Sequence, residues 1–239
     1  MARSGHRFVQ GPVRKDDKSV DPMPEVRHYE LSRSQLVFSA ASIAAAVMLE
    51  IALAVRIATH VQLTRWWVLP VLLMGVATAD LASGLVHWAA DTWGHDELPV
   101  VGHRLLVPFR VHHINPDDFL RRRFIDTNGD VAFVAVPFIL AMLAAPLDTR
   151  WSPPVVVFGF AFCAIGMLTN QIHQWAHMPS PPSPVRVLQD YGIILNRTDH
   201  EVHHHRPHNV HYSDAGYRYI AADVARAVEE ALPRTSEHR

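Results

Sequence analysis

The chain has 239 residues, 49% of them hydrophobic, and 22 basic against 23 acidic side chains give a formal net charge of −1. That balance offers no basic field for nucleic acid, and a single cysteine, Cys163, excludes a disulfide framework and a thiolate metal cluster. The apolar residues come in long blocks, a distribution that argues against one or two soluble domains and for a chain that crosses a membrane.

Residues 1–34 form a polar tail containing RKDDK, with no apolar stretch of the kind a cleaved signal peptide needs, and are expected to be disordered. Four apolar blocks follow, at residues 36–57, 66–90, 131–147 and 153–172, each read as a transmembrane helix, although the third is short for a span. The fold class expected is therefore all-α, a multi-pass membrane protein with about four spans. Residues 35–212 form the membrane domain, and 213–239, with DVARAVEEAL, a polar C-terminal cap and tail.

Charge orients the spans. Seven Lys or Arg lie in residues 1–35, five in 91–130 and seven after 172, whereas the other two connections share only Arg56, Arg65 and Arg150. The positive-inside rule then places both termini and the central loop, read as residues 94–130, in the cytoplasm. Arg outnumbers Lys twenty to two, a bacterial coding bias, so the expected location is a bacterial inner membrane.

The chemistry lies in the histidines. Residues 199–211, DHEVHHHRPHNVH, hold six of them, and on a helix His200, His203 and His204 share one face. His87 and Asp91 stand four apart in HWAAD, as do His173 and His177 in HQWAH. His112 and His113 are adjacent, so they diverge by about 100 degrees on a helix and suit two metals, or one ligand and one outer contact. Asp80, seven residues before His87, is either part of that site or bonded to a neighbouring hydroxyl, because an ionisable group inside a span is costly. Eight histidines and one acid exceed what a single zinc needs, and all fall on the cytoplasmic side. A lipid substrate and an unactivated C–H bond point to iron and dioxygen.

The runs GLVHWAADTWG, RVHHINP, FIDTNGD, TNQIHQWAH, LQDYGIIL and HEVHHHRPH, in this order over residues 75–212, resemble the plasmanylethanolamine desaturase family, also called the CarF or Kua family. The resemblance implies a membrane lipid desaturase with a di-iron centre that converts a 1-O-alkyl ether phospholipid into its vinyl ether, a plasmalogen. It implies as catalytic and metal residues His87, His112, His113, His173, His177, His200, His203 and His204, with Asp91 as a further ligand and His208 in the outer shell. Asp80, Asp190 and Asp199 are candidates to fix imidazole tautomers. Phospholipid and dioxygen are the implied substrates. Because no haem, flavin or iron–sulfur motif is present, electrons must come from a cytochrome b5-like protein or a ferredoxin. His205 and His211 lack family counterparts and are expected at the surface, and Arg122 stands where members often carry His.

Other readings remain open. A chloroplast branch of the same family acts on acyl chains. His200, Glu201 and His204 also satisfy the HExxH zinc-protease pattern, with Glu201 as base. A membrane metal sensor without catalysis is a third.

Overall fold

The computed structural model describes residues 31–95, 97–114 and 116–205. The N-terminal tail, the C-terminal cap, His208 and His211 lie outside them. Among the described residues every regular element is helical.

Helix α1, Arg33–His60, begins at Ser32, whose hydroxyl accepts from the Gln35 backbone while the Gln35 side chain accepts from the Ser32 N–H. That reciprocal pair satisfies two of the donors every helix start leaves open. Helix α2 is Val68–Thr92, α5 is Phe124–Ala144, and the fourth span, Ser152–His177, is divided into α6, Ser152–Gly166, and α7, Thr169–His177. All four spans are long and apolar enough to cross a bilayer.

The sequence blocks and the helices differ in instructive places. Helix α5 starts seven residues before its apolar block, because Asp126 accepts from the Arg123 backbone N–H and guanidinium and so starts the helix in polar sequence. It stops at Ala144, since Pro146 forces Ala145 into extended backbone. The supposed central loop is mostly helical: a π-helical turn at Gly102–Leu106 leads into α3, Val107–Ile114, and then α4, Pro116–Arg121. The Pro-rich connector after His177 does break the chain as expected, and α8, Ser183–Asp190, and α9, Arg197–His205, follow.

The bundle pairs α1 with α5 and α2 with α6, with α5 against α6 between the pairs. Leu53, Ile139, Val156 and Ala46 are fully enclosed at its centre. Lipid is as apolar as these side chains, so association depends on close packing, and small residues permit it. A Cβ at Gly129 would overlap Ser39 of α1, and one at Gly75 would strike the Phe158 carbonyl and Ala161. At the far end Arg56 donates to the Met142 and Ala145 carbonyls, at 3.0 and 2.6 Å, and so closes the C-terminus of α5. Val37, Met48, Leu69, Leu73, Phe133 and Phe138 are exposed on the outside, as a lipid-facing surface requires.

Candidate metal centre

Four helices bring ligands to one end of the bundle: α2 carries His87 and Asp91, α3 carries His112 and His113, α7 carries His173 and His177, and α9 carries His200 and His204. Each is tied down by its neighbours. Arg110 of α3 donates to the Ala90, Trp93 and Gly94 carbonyls at the end of α2. Gln174 of α7 donates to both the Phe119 and Arg122 carbonyls, at 2.8 and 2.9 Å, and its own carbonyl accepts from Gln171 at 3.0 Å. Asn170 donates to the Thr127 carbonyl at 2.7 Å, joining α7 to α5. The start of α9 is fixed by a reciprocal pair, Asp199 N–H to Asn196 Oδ1 at 3.0 Å and Asn196 Nδ2 to Asp199 Oδ2 at 2.8 Å.

The nitrogens converge closely. Nε2 of His173 is 3.0 Å from that of His200 and 3.2 Å from that of His177, and His200 to His177 is 2.8 Å. His204 Nε2 lies 3.0 Å from His200 Nε2. A triangle of three such atoms cannot be held by hydrogen bonds alone: each Nε2 either carries a proton or does not, so at least two of the three are alike and oppose each other. One cation facing all three removes the conflict. Ligands about 2.1 Å from an ion and at right angles to one another stand about 3.0 Å apart, the spacing seen. His112 completes this group of five, in which the donor atoms lie within 4.8 Å of one another. Its Nε2 is buried and has no hydrogen-bond partner among the described residues.

A second group adjoins the first. His87, His112 and His113 are mutually within the same distance, and Asp91 Oδ2 lies 2.9 Å from His113 Nε2 and 3.3 Å from His87 Nε2. The carboxylate therefore takes a third position beside two imidazoles, again at the spacing of ligands on one ion. His112 belongs to both groups, so the two ion positions are neighbours. Donors of this kind, imidazole-rich with one carboxylate, suit iron, copper, nickel or zinc.

Electrostatics agree with ligation. Burial, and after it the positive potential of His87, His113, His204 and His177, holds His112 well below the usual imidazole range. It is therefore neutral at neutral pH, the form that binds a metal. Phe119 packs against His173 and His177, with ring centroids 4.9 and 5.8 Å away, and Phe109 sets its edge 4.6 Å from His87. These rings wall the pocket against water.

The structure thus gathers His87, Asp91, His112, His113, His173, His177, His200 and His204. His203 is on α9, but its side chain is outside the described set, and His208 lies beyond it. Asp190 is exposed at the end of α8, Asp199 caps α9 through Asn196, and Asp80 sits two turns before His87, in neither ligand group. Glu201, the base of the protease reading, is exposed and paired with Arg197 at 2.7 Å, so it does not face the ligands. Gln174, Phe119, Arg110 and Asn196 were missed because their roles depend on contacts between distant segments. Only the QIHQ run, polar residues interleaved with the α7 ligands, marked any of them.

A bundle of four apolar spans that ends in a buried cluster of histidines defines an integral membrane protein with a candidate metal centre. The model of the lipid desaturase domain matches residues 76–219, more than half of the chain, and the chain belongs to that family. It is a membrane lipid desaturase, acting on lipid with oxygen-dependent chemistry. It is 39% identical over 215 residues to the plasmanylethanolamine desaturase of Myxococcus xanthus, covering 85% of this chain and 70% of that protein. It is 41% identical over 160 residues to plasmanylethanolamine desaturase 1 of Mus musculus, covering 63% of this chain and 59% of the relative. Fatty acid desaturase 4, chloroplastic, of Arabidopsis thaliana is 36% identical over 143 residues, 58% of this chain and 42% of that protein. No solved structure matches.

Proposed function

We propose that the protein introduces the vinyl-ether double bond of plasmalogens into 1-O-alkyl ether phospholipids, using a pair of irons, dioxygen and two external electrons. The observation that carries this reading is the convergence of seven imidazoles and one carboxylate into two adjoining ligand groups, in a chain 39% identical to an enzyme named for that substrate. His173, His177, His200 and His204 would hold one ion, and His87, His113 and Asp91 the other, with His112 within reach of both. His203 is a further ligand candidate. Bound there, two irons supply the activation of dioxygen that removal of hydrogen from an unactivated C–H bond demands.

The chain's own groups do the rest. Nitrogen ligands would hold iron without the charge carboxylates add, and the one carboxylate, Asp91, would favour the higher positive charge at its position. Phe109 and Phe119 keep water from the reacting carbons, and the lipid-facing bundle admits the alkyl chain from the side. Per turnover –CH2–CH2– and O2, with two electrons and two protons, give –CH=CH– and two waters. The electrons come from a cytochrome b5-like protein or a ferredoxin at the cytoplasmic face, the side that the charge distribution assigns to both termini and the metal site.

A second reading, desaturation of an acyl chain, is favoured by the 36% identity to a protein named fatty acid desaturase. Lipid analysis of a host that makes ether lipids separates the two. Wild type is expected to produce acid-labile vinyl ethers that His200→Ala does not. No vinyl ether but a newly unsaturated acyl chain contradicts the ether reading, and no lipid change contradicts both.

A further inference from the structure

Resting on the metal-site reading above, we propose that Trp88 and Trp93 form a one-electron relay between the metal centre and the protein surface. The relay lets the centre discharge an oxidising equivalent that no lipid has consumed.

Trp88 follows His87 directly on α2, one peptide and 3.8 Å between Cα atoms from a ligand. It is 3% exposed, and its indole N–H is buried without a hydrogen-bond partner among the described residues. Buried tryptophans ordinarily find an acceptor, so hydrogen bonding does not account for this choice of side chain. Its ring meets that of Trp93 edge-on, centroids 4.6 Å apart and planes at 69°. Trp93 is 42% exposed, at the same end of the bundle as the histidines. The pair thus runs from a ligand's neighbour to solvent in a single ring-to-ring step.

That arrangement is held in place. The Trp93 N–H donates to the Ala89 carbonyl at 2.9 Å, and the Trp93 carbonyl accepts from Arg110 at 2.8 Å. Arg110 stands two residues before His112, so the Trp93 backbone is tied to the helix that carries the ligand shared by both groups.

Indole is among the side chains most readily oxidised by one electron, whereas the phenyl rings of Phe109 and Phe119 that wall the pocket are not. A centre that activates dioxygen next to its own imidazoles needs an outlet when the lipid site is empty. Trp88 gives one electron to the centre and becomes a radical cation, Trp93 refills Trp88, and a cytosolic one-electron reductant such as a thiol refills Trp93. Each pass reduces the centre by one, oxidises one reductant by one and transfers no heavy atom. Two passes, with two protons from solvent, would reduce the unused oxygen atom to one water, which leaves, and return the centre to rest.

The test uses iron-loaded full-length protein in detergent, without lipid substrate, exposed to hydrogen peroxide and read by peptide mass spectrometry. Trp66 and Trp151 are internal controls, because they are 86% and 73% exposed in the two connections at the opposite end of the bundle. The relay predicts that oxygen adducts collect on Trp93 and Trp88 well before Trp66 and Trp151. It also predicts that Trp93→Phe, at unchanged starting iron content, shows several-fold more oxidation of the ligand histidines and several-fold faster iron loss. Adducts ordered by exposure, with Trp66 first, overturn it. So does a Trp93→Phe protein whose ligands and iron survive as long as those of wild type. A wild type that binds no iron by metal analysis overturns it too, and that result alone marks the failure of the underlying metal-site reading.

Discussion

The interior of the bundle and the histidine layer at its end follow opposite rules. Around Leu53, Ile139 and Val156 the helices approach through small residues and the contacts are apolar and mutually supportive. In the layer, imidazole nitrogens that hydrogen bonds alone cannot all reconcile stand about 3 Å apart. The comparison teaches that the bundle rests on its own packing, whereas the nitrogens of the layer are reconciled by a cation, so metal is expected to stabilise the fold by joining four helices.

Leu53→Ala probes the bundle side of that contrast and has the largest expected effect on stability. It opens a cavity in a fully enclosed position, and a loss of about 2–5 kcal/mol is expected, measured by thermal unfolding in detergent, while the folded fraction keeps its full metal content. Chelation probes the other side. Removing metal from wild type lowers the unfolding temperature, and restoring ferrous ion at about a hundredfold over its dissociation constant returns about 2.7 kcal/mol. Equal melting curves with and without metal would erase the distinction between the regions. Gln174→Leu sharpens it further: the Phe119 and Arg122 carbonyls lose their donor, costing about 1–3 kcal/mol. Because Phe119 then shifts against His173 and His177, metal affinity falls alongside stability, as a titration with ferrous ion would show. The smallest effect is that of acid on the metal-free protein. Burial holds His112 below the ordinary imidazole value, so below about pH 6.5 the unfolded chain takes a proton there that the folded chain refuses. Stability of the metal-free form therefore falls as pH drops from that value and is level above it, which denaturant titrations at several pH values would reveal.

Much of this was legible in the sequence for a physical reason. A span must satisfy its backbone internally and bury twenty apolar residues, so the four blocks announced themselves. Ligand pairs on helices must recur at i and i+4, so His87 with Asp91, His173 with His177 and His200 with His204 did too. What could not be read were features set by tertiary contact. Residues 97–123 look polar and punctuated by proline, yet they are wound into a π-turn and two helices by docking under α2 and α7. Asp199 reads as an imidazole anchor in the sequence, and its carboxylate is engaged with Asn196 at the start of α9. Asp190 is exposed at the end of α8. Nothing local distinguished Gln174 from any other polar residue near a ligand.

The most direct test of the central claim is the iron stoichiometry of purified full-length protein, wild type beside Asp91→Asn, by metal analysis and Mössbauer spectroscopy. Two neighbouring ligand groups predict about two coupled irons per wild-type chain, with one lost preferentially from Asp91→Asn because only the His87–His113 group contains that carboxylate. A single iron in both proteins, or none, would contradict the account.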